Sequence, residues 1–147
     1  MKATIKQVKA GFKLTVKSTQ HKTIQPLHYV AATREACEAE QAGFESLMAE
    51  FDVQETRKIA RARYVRICER AEQLQAAYPG LYLVDEVVAI ENATDGLKQN
   101  HNIDISDMPE CDWPAIAFDV VADNIIAHTG ERCAENEIDG AAFGFGF

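Results

Sequence analysis

No apolar run in this 147-residue chain is long enough to span a bilayer, no two cysteines form a CxxC pair, and serine occurs only three times. A transmembrane helix needs about 20 consecutive apolar residues, so the first lack excludes one. The opening MKATIKQVKAGF carries lysines but no continuous apolar segment and does not read as a secretory leader, so a cytoplasmic protein is expected. Cys37, Cys68, Cys111 and Cys133 are widely spaced and are expected to be free, mainly structural thiols in a reducing compartment. There is no nucleophile elbow, phosphate-binding loop or paired-carboxylate motif, so nothing nominates an enzyme.

Metal motifs are lacking as well. His101, Cys111, His128 and Cys133 match no compact zinc spacing. Asn102 to Asp107 begins like a calcium loop, but Asp107 stands where that loop needs glycine and Trp113 where it needs a bidentate glutamate. No cofactor and no metal is expected.

A further absence is more informative: the first 34 residues contain no acid, against Lys2, Lys6, Lys9, Lys13, Lys17, Lys22 and Arg34. Residues 1–70 hold 13 Lys and Arg against 8 Asp and Glu, a net of +5, while residues 71–147 hold 2 against 15, a net of −13. The overall charge of −8 conceals this division. Apolar residues at 47% and charged residues at 26% describe a folding chain, of one domain or of a small domain with an appendage.

Phe12 to Lys17 alternates apolar and polar residues strictly, and Ala3 to Lys6 does likewise, with Lys9-Ala10-Gly11 as the turn between two strands. Side chains two apart share a face of a strand. If Ile5, Leu14 and Val16 face the core, then Lys2, Lys6, Lys13 and Lys17 face outward together. A third strand is expected over Leu27 to Ala31. Thr33 is a good helix cap, with Glu35 in the first turn. Beyond it Cys37, Phe44, Met48 and Phe51 form one apolar seam, interrupted by Gln41. A second seam, Ala60, Tyr64, Ile67, Ala71 and Leu74, follows the polar stretch Asp52 to Thr56, and the two predict an antiparallel helical hairpin.

Arg63, Arg66 and Arg70 lie beside the second seam, and Arg57, Lys58 and Arg61 on another side. Pro79-Gly80 ends the helix. Leu81 to Ile90 reads as a strand or as the start of a helix through Leu97, Gln99 to Cys111 as a loop, and Ala115 to His128 as a helix opened by Asp112-Trp113-Pro114. The expected fold is α+β: a small N-terminal antiparallel sheet, the helical hairpin, and an acidic, mainly helical C-terminal portion. A basic region 1–78 and an acidic region 79–147 are the expected divisions.

Three short strands with lysines outward, followed by Tyr29-Val-Ala-Ala-Thr33-Arg-Glu-Ala36 leading into an Ala/Glu-rich helix, resemble the arm-type DNA-binding module of phage tyrosine recombinases over residues 1–51. The resemblance implies a sheet that lies in the major groove. The chain departs from that pattern in having no arginine in the hairpin to read guanine edges, and no recombinase catalytic domain follows.

Two binding functions compete. The first is a non-catalytic phage or mobile-element protein that occupies a protein or nucleoprotein partner, as an inhibitor of host defence of the anti-CRISPR kind or a nucleic-acid mimic would. It would use Asp104, Asp107, Glu110, Asp112, Glu135, Glu137 and Asp139, with Phe143, Phe145 and Phe147 as a docking tail. The alternative is a DNA-binding accessory or regulatory protein using Lys2, Lys6, Lys13 and Lys17, with Arg63, Arg66 and Arg70 contributing. The lysines have a bland explanation, protection of exposed strand edges, and the arginines have two, a solvated helix face or neutralisation by the acidic half of the same chain or of a second copy in a homodimer. No membrane partner is expected.

Overall fold

The computed structural model describes residues 1–78 and 86–128. Its elements in order are β1 (Lys2–Val8), β2 (Gly11–Lys17), β3 (Leu27–Ala31), α1 (Arg34–Ala77), α2 (Glu86–His101), a single 3-10 turn (Glu110–Asp112) and α3 (Ala115–His128). The class is α+β, with the antiparallel sheet at the N-terminus and helices after it. The chain divides into two compact units, Met1–Thr56 and Arg57–Phe147. None of the described helices is long and apolar enough to cross a membrane.

In the first unit the strands run in the order β1-β2-β3, antiparallel throughout. Val8 pairs with Gly11, which leaves Lys9-Ala10 as a two-residue turn. Gly11 has φ of 128°, a conformation that L side chains rarely adopt, and a Cβ there would run into the carbonyl oxygen of Ala31. The alternation read in the sequence sets the two faces. Leu14 and Val16 are fully buried on the inner one, with Ala3, Ile5, Phe12, Leu27, Tyr29 and Ala31 around them. Removing each of these two large side chains from water contributes about 1.5–3 kcal/mol.

The opposing layer is the first half of α1. Thr33 caps it, its hydroxyl accepting from the Ala36 N–H at 3.2 Å. Cys37, Phe44 and Met48 then meet the sheet, with the Phe44 ring 5.7 Å from that of Tyr29. Gln41 fits the seam half-buried by donating to Glu45 Oε1 at 2.8 Å. Phe51, expected as the last member of the seam, is only half-buried and belongs to neither core cluster. Asp52, one residue on and four from Met48, is buried there and accepts a hydrogen bond from the Ser18 hydroxyl.

The expected helical hairpin does not form: α1 runs unbroken through Asp52 to Thr56. The apolar seam changes phase between Met48 and Ala60, and a phase change across a polar stretch resembles the signal of a turn. Yet Asp52-Val-Gln-Glu-Thr56 holds no glycine or proline to end a helix. Its two least helix-prone members have other partners: Asp52 bonds Ser18, and the Thr56 hydroxyl donates to the Asp52 carbonyl one turn back at 2.8 Å.

In the second unit the other half of α1 presents Ala60, Tyr64, Ile67, Ala71 and Leu74, as the second seam predicts. They pack with Ala89, Ala93 and Leu97 of α2 and with Ala117, Phe118, Val121, Ala122 and Ile125 of α3. Tyr64, Trp113 and Phe118 stand with ring centroids 5.3 to 6.1 Å apart, and the buried Trp113 indole N–H donates to the Met108 carbonyl at 3.1 Å.

Of the two alternatives for the stretch reaching Leu97, the helix holds from Glu86 onward, and it continues three residues into the expected loop before ending at His101. Asn102, with φ of 53°, follows it in a conformation that asparagine tolerates. Helix α3 occupies the expected Ala115–His128. The helix stop expected at Pro79-Gly80 falls outside the described residues, although α1 does end at Ala77, shortly before the proline.

Candidate nucleic-acid interface

Because Leu14 and Val16 point inward, strand alternation sends Lys13, Thr15 and Lys17 of β2 to the opposite face, and the antiparallel register brings β1 residues beside them. Lys2 stands directly opposite Lys17, Thr4 opposite Thr15, and Lys6 opposite Lys13. These side chains and Val8 line an open depression of about 360 Å³. All four lysines named from the sequence therefore meet on one surface.

Like charges placed directly opposite one another weaken a sheet, and here that placement occurs twice. Among the described residues none of the four lysines forms an ion pair. Edge protection does not account for the arrangement. Lysines that guard an edge belong on an edge strand, whereas Lys13 and Lys17 lie on β2, the central strand.

On the third strand His28 pairs with Thr15 and Val30 with Lys13. The imidazole Nδ1 of His28 is 3.1 Å from the Thr15 hydroxyl, and Val30 is half exposed. The outer face thus has a polar row, Thr4–Thr15–His28, between two rows of paired lysines. Of unit 1's four aromatic side chains, Phe12, Tyr29 and Phe44 are in the inner cluster and Phe51 is in neither cluster. Neither family models, nor curated proteins, nor solved structures yield a match to the chain.

The helix cations have different surroundings. Arg63 reaches Asp123 at 2.8 Å and Asp119 at 3.6 Å on α3, and Arg61 meets Glu110 at 3.3 Å. Arg57 donates to the carbonyls of Trp113 at 2.6 Å, Glu110 at 3.4 Å and Cys111, and its guanidinium stands 5.6 Å from the centre of the Phe118 ring. One side chain thereby holds the 3-10 turn that leads into α3. Arg66 and Arg70 also make interactions of their own. Within unit 2, then, arginines and acids of the same chain neutralise each other, the bland alternative for these residues.

The acids named from the sequence are dispersed. Asp104 accepts from the Ser106 N–H at 3.0 Å and hydroxyl at 2.5 Å and pairs with Lys98 at 3.3 Å. The Ser106 hydrogen bonds, with a smaller contribution from Lys98, hold its carboxyl below the usual aspartate range. Asp107 and Asp112 are exposed, and Glu110 is half-buried beside Arg61. Glu135, Glu137, Asp139, Phe143, Phe145 and Phe147 lie outside the described residues, as does Cys133. No group of three or more His, Cys, Asp or Glu among the described residues is placed to hold a metal ion.

Sequence reading passed over Thr4, Thr15 and His28, which complete the lysine face. The signal for Thr4 and Thr15 was present, since they hold alternate positions between the lysines, but His28 required the β2–β3 register. It also passed over the Asp52–Ser18 bond, which nothing local in the sequence marks.

Proposed function

We propose that this chain binds nucleic acid without catalysis, through the outer face of its N-terminal sheet, as a DNA-binding accessory or regulatory protein. The observation that carries this reading is the pair of lysine rows on β1 and central β2, where four cations face one another without a carboxylate. Such a surface costs stability in the free protein and is relieved by a polyanion. Lysine ammonium groups contact phosphates as point charges and carry little base information, so binding is dominated by the backbone. The likeness of residues 1–51 to an arm-type module agrees with a sheet-borne DNA face.

A mimic that blocks a partner's basic groove ranks second. Of the carboxylates named for it, Glu110 already faces Arg61 and Asp104 already pairs with Lys98.

Binding of the purified chain to duplex DNA, followed from about 0.05 to 0.2 M salt, should give a log–log slope near −3.6, about −0.9 for each of four phosphates contacted. The double variant Lys13→Glu, Lys17→Glu should lose binding. It should also be more stable than the parent by about 0.2–1 kcal/mol per pair, since Lys2 and Lys6 would then face carboxylates. Binding that survives this change would move the interface away from the sheet.

A further inference from the structure

The row between the lysine pairs contains one group whose charge is not fixed. His28 lies on β3, opposite Thr15, with its Nδ1 3.1 Å from the Thr15 hydroxyl. A hydroxyl serves either form of the ring: it donates to the bare nitrogen of the neutral imidazole and accepts from the N–H of the protonated one. The contact therefore positions the ring without selecting its charge.

The charged neighbours on this face are all cations, Lys13 and Lys17 from β2 and Lys2 and Lys6 from β1. The remainder of β3 carries no charged residue. Helix α1 packs on the inner face, where Tyr29 and Leu27 meet it. In the connection from β2 to β3, Lys22 adds another cation, and His21 is engaged with Thr56 of α1 at 2.8 Å. No carboxylate among the described residues forms an ion pair on this face to hold the ring protonated before a ligand arrives.

We infer that nucleic acid docking on the sheet face takes up a proton at His28, making the imidazolium a fifth phosphate contact and binding tighter in mild acid. This inference rests on the lysine face being the nucleic-acid surface. Phosphates brought against the four lysines favour the protonated ring at His28. Linkage makes the effect reciprocal: a ligand that favours the protonated ring is itself favoured by protonation. Histidine is the ordinary side chain that changes charge between about pH 5 and 8, so the effect falls in a range that cells use.

The test uses the full chain and a mixed-sequence DNA duplex, with affinity measured against salt at about pH 5.5 and about pH 8. The parent should bind more tightly at the lower pH, with affinity changing by at most about tenfold per pH unit because one proton is taken up. Its salt slope should be steeper there by about 0.9, the increment for one added contact. His28→Gln keeps a hydrogen-bonding partner for Thr15 but no titrating group; it should bind as the parent does at the higher pH and show no pH-dependent slope. His21→Gln should behave as the parent does. Binding by the parent that is independent of pH, or a pH dependence that survives His28→Gln, would overturn the proton coupling while leaving the lysine face standing. No binding at either pH, even at about 0.05 M salt, would remove the nucleic-acid reading and this inference with it.

Discussion

At the residue scale the register of the lysine face depends on one glycine. Gly11 turns the chain from β1 into β2, and the Val8–Gly11 pairing fixes every lysine opposite its partner. A slip of one residue would exchange the inner and outer faces and send Lys13 and Lys17 into the core. Two constraints meet at this position, a φ of 128° and the Ala31 carbonyl oxygen lying where a Cβ would go. Since that neighbour is backbone, it does not move aside as the end of a flexible side chain would. Gly11→Ala is expected to destabilise unit 1 by about 2 kcal/mol or more, from backbone strain together with the collision. Urea unfolding measures it, and a change within about 0.5 kcal/mol, the ordinary range for a surface substitution, would show that the turn does not require glycine.

At the element scale, what was legible in the sequence and what was not divide along the range of the forces involved. The three strands, the Thr33 cap and the extent of α3 are set by local alternation, capping chemistry and a proline, and all could be read from neighbouring residues. The gathering of Lys2, Lys6, Lys13 and Lys17 was legible for the same reason, as it follows from period two. The link at Asp52 to Thr56 was misread because its polarity has a distant cause, with Ser18 supplying the partner that lets an acid be buried in a helix. The role of Arg57 escaped notice likewise, since the carbonyls it gathers lie more than fifty residues away. The continuity of α1 can be tested at Gln54, which is exposed within the misread link. Gln54→Pro should cost about 3 kcal/mol or more and Gln54→Gly about 1 kcal/mol, the penalties of a helix interior. Thermal unfolding followed by far-ultraviolet circular dichroism distinguishes this from a hairpin loop, in which both substitutions would be nearly neutral.

At the scale of the whole molecule, the division of charge differs from what a cut along the sequence suggests. Unit 1, Met1–Thr56, contains seven basic and seven acidic residues, with the bases all within its first 34 residues and the acids after them on α1. The net −8 belongs to Arg57–Phe147, with eight bases against sixteen acids. A protein of this balance presents a polyanion with attraction over short distances and repulsion over long ones, and salt sets which of them is felt. At about 0.1 M the screening length is about 10 Å, comparable to the lysine patch itself, and the local cations dominate. At about 0.01 M it reaches about 30 Å, and the net charge of −8 is then far less screened from the approaching phosphates. Affinity for duplex DNA should therefore climb as salt is lowered to about 0.05 M and then level off by about 0.01 M, instead of following the counterion-release line throughout. The association rate, which responds most directly to the long-range field, should level off first. Stopped-flow and equilibrium titrations across that range provide the check, and a line that stays straight to the lowest salt would mean that the acidic unit exerts no field on the bound nucleic acid.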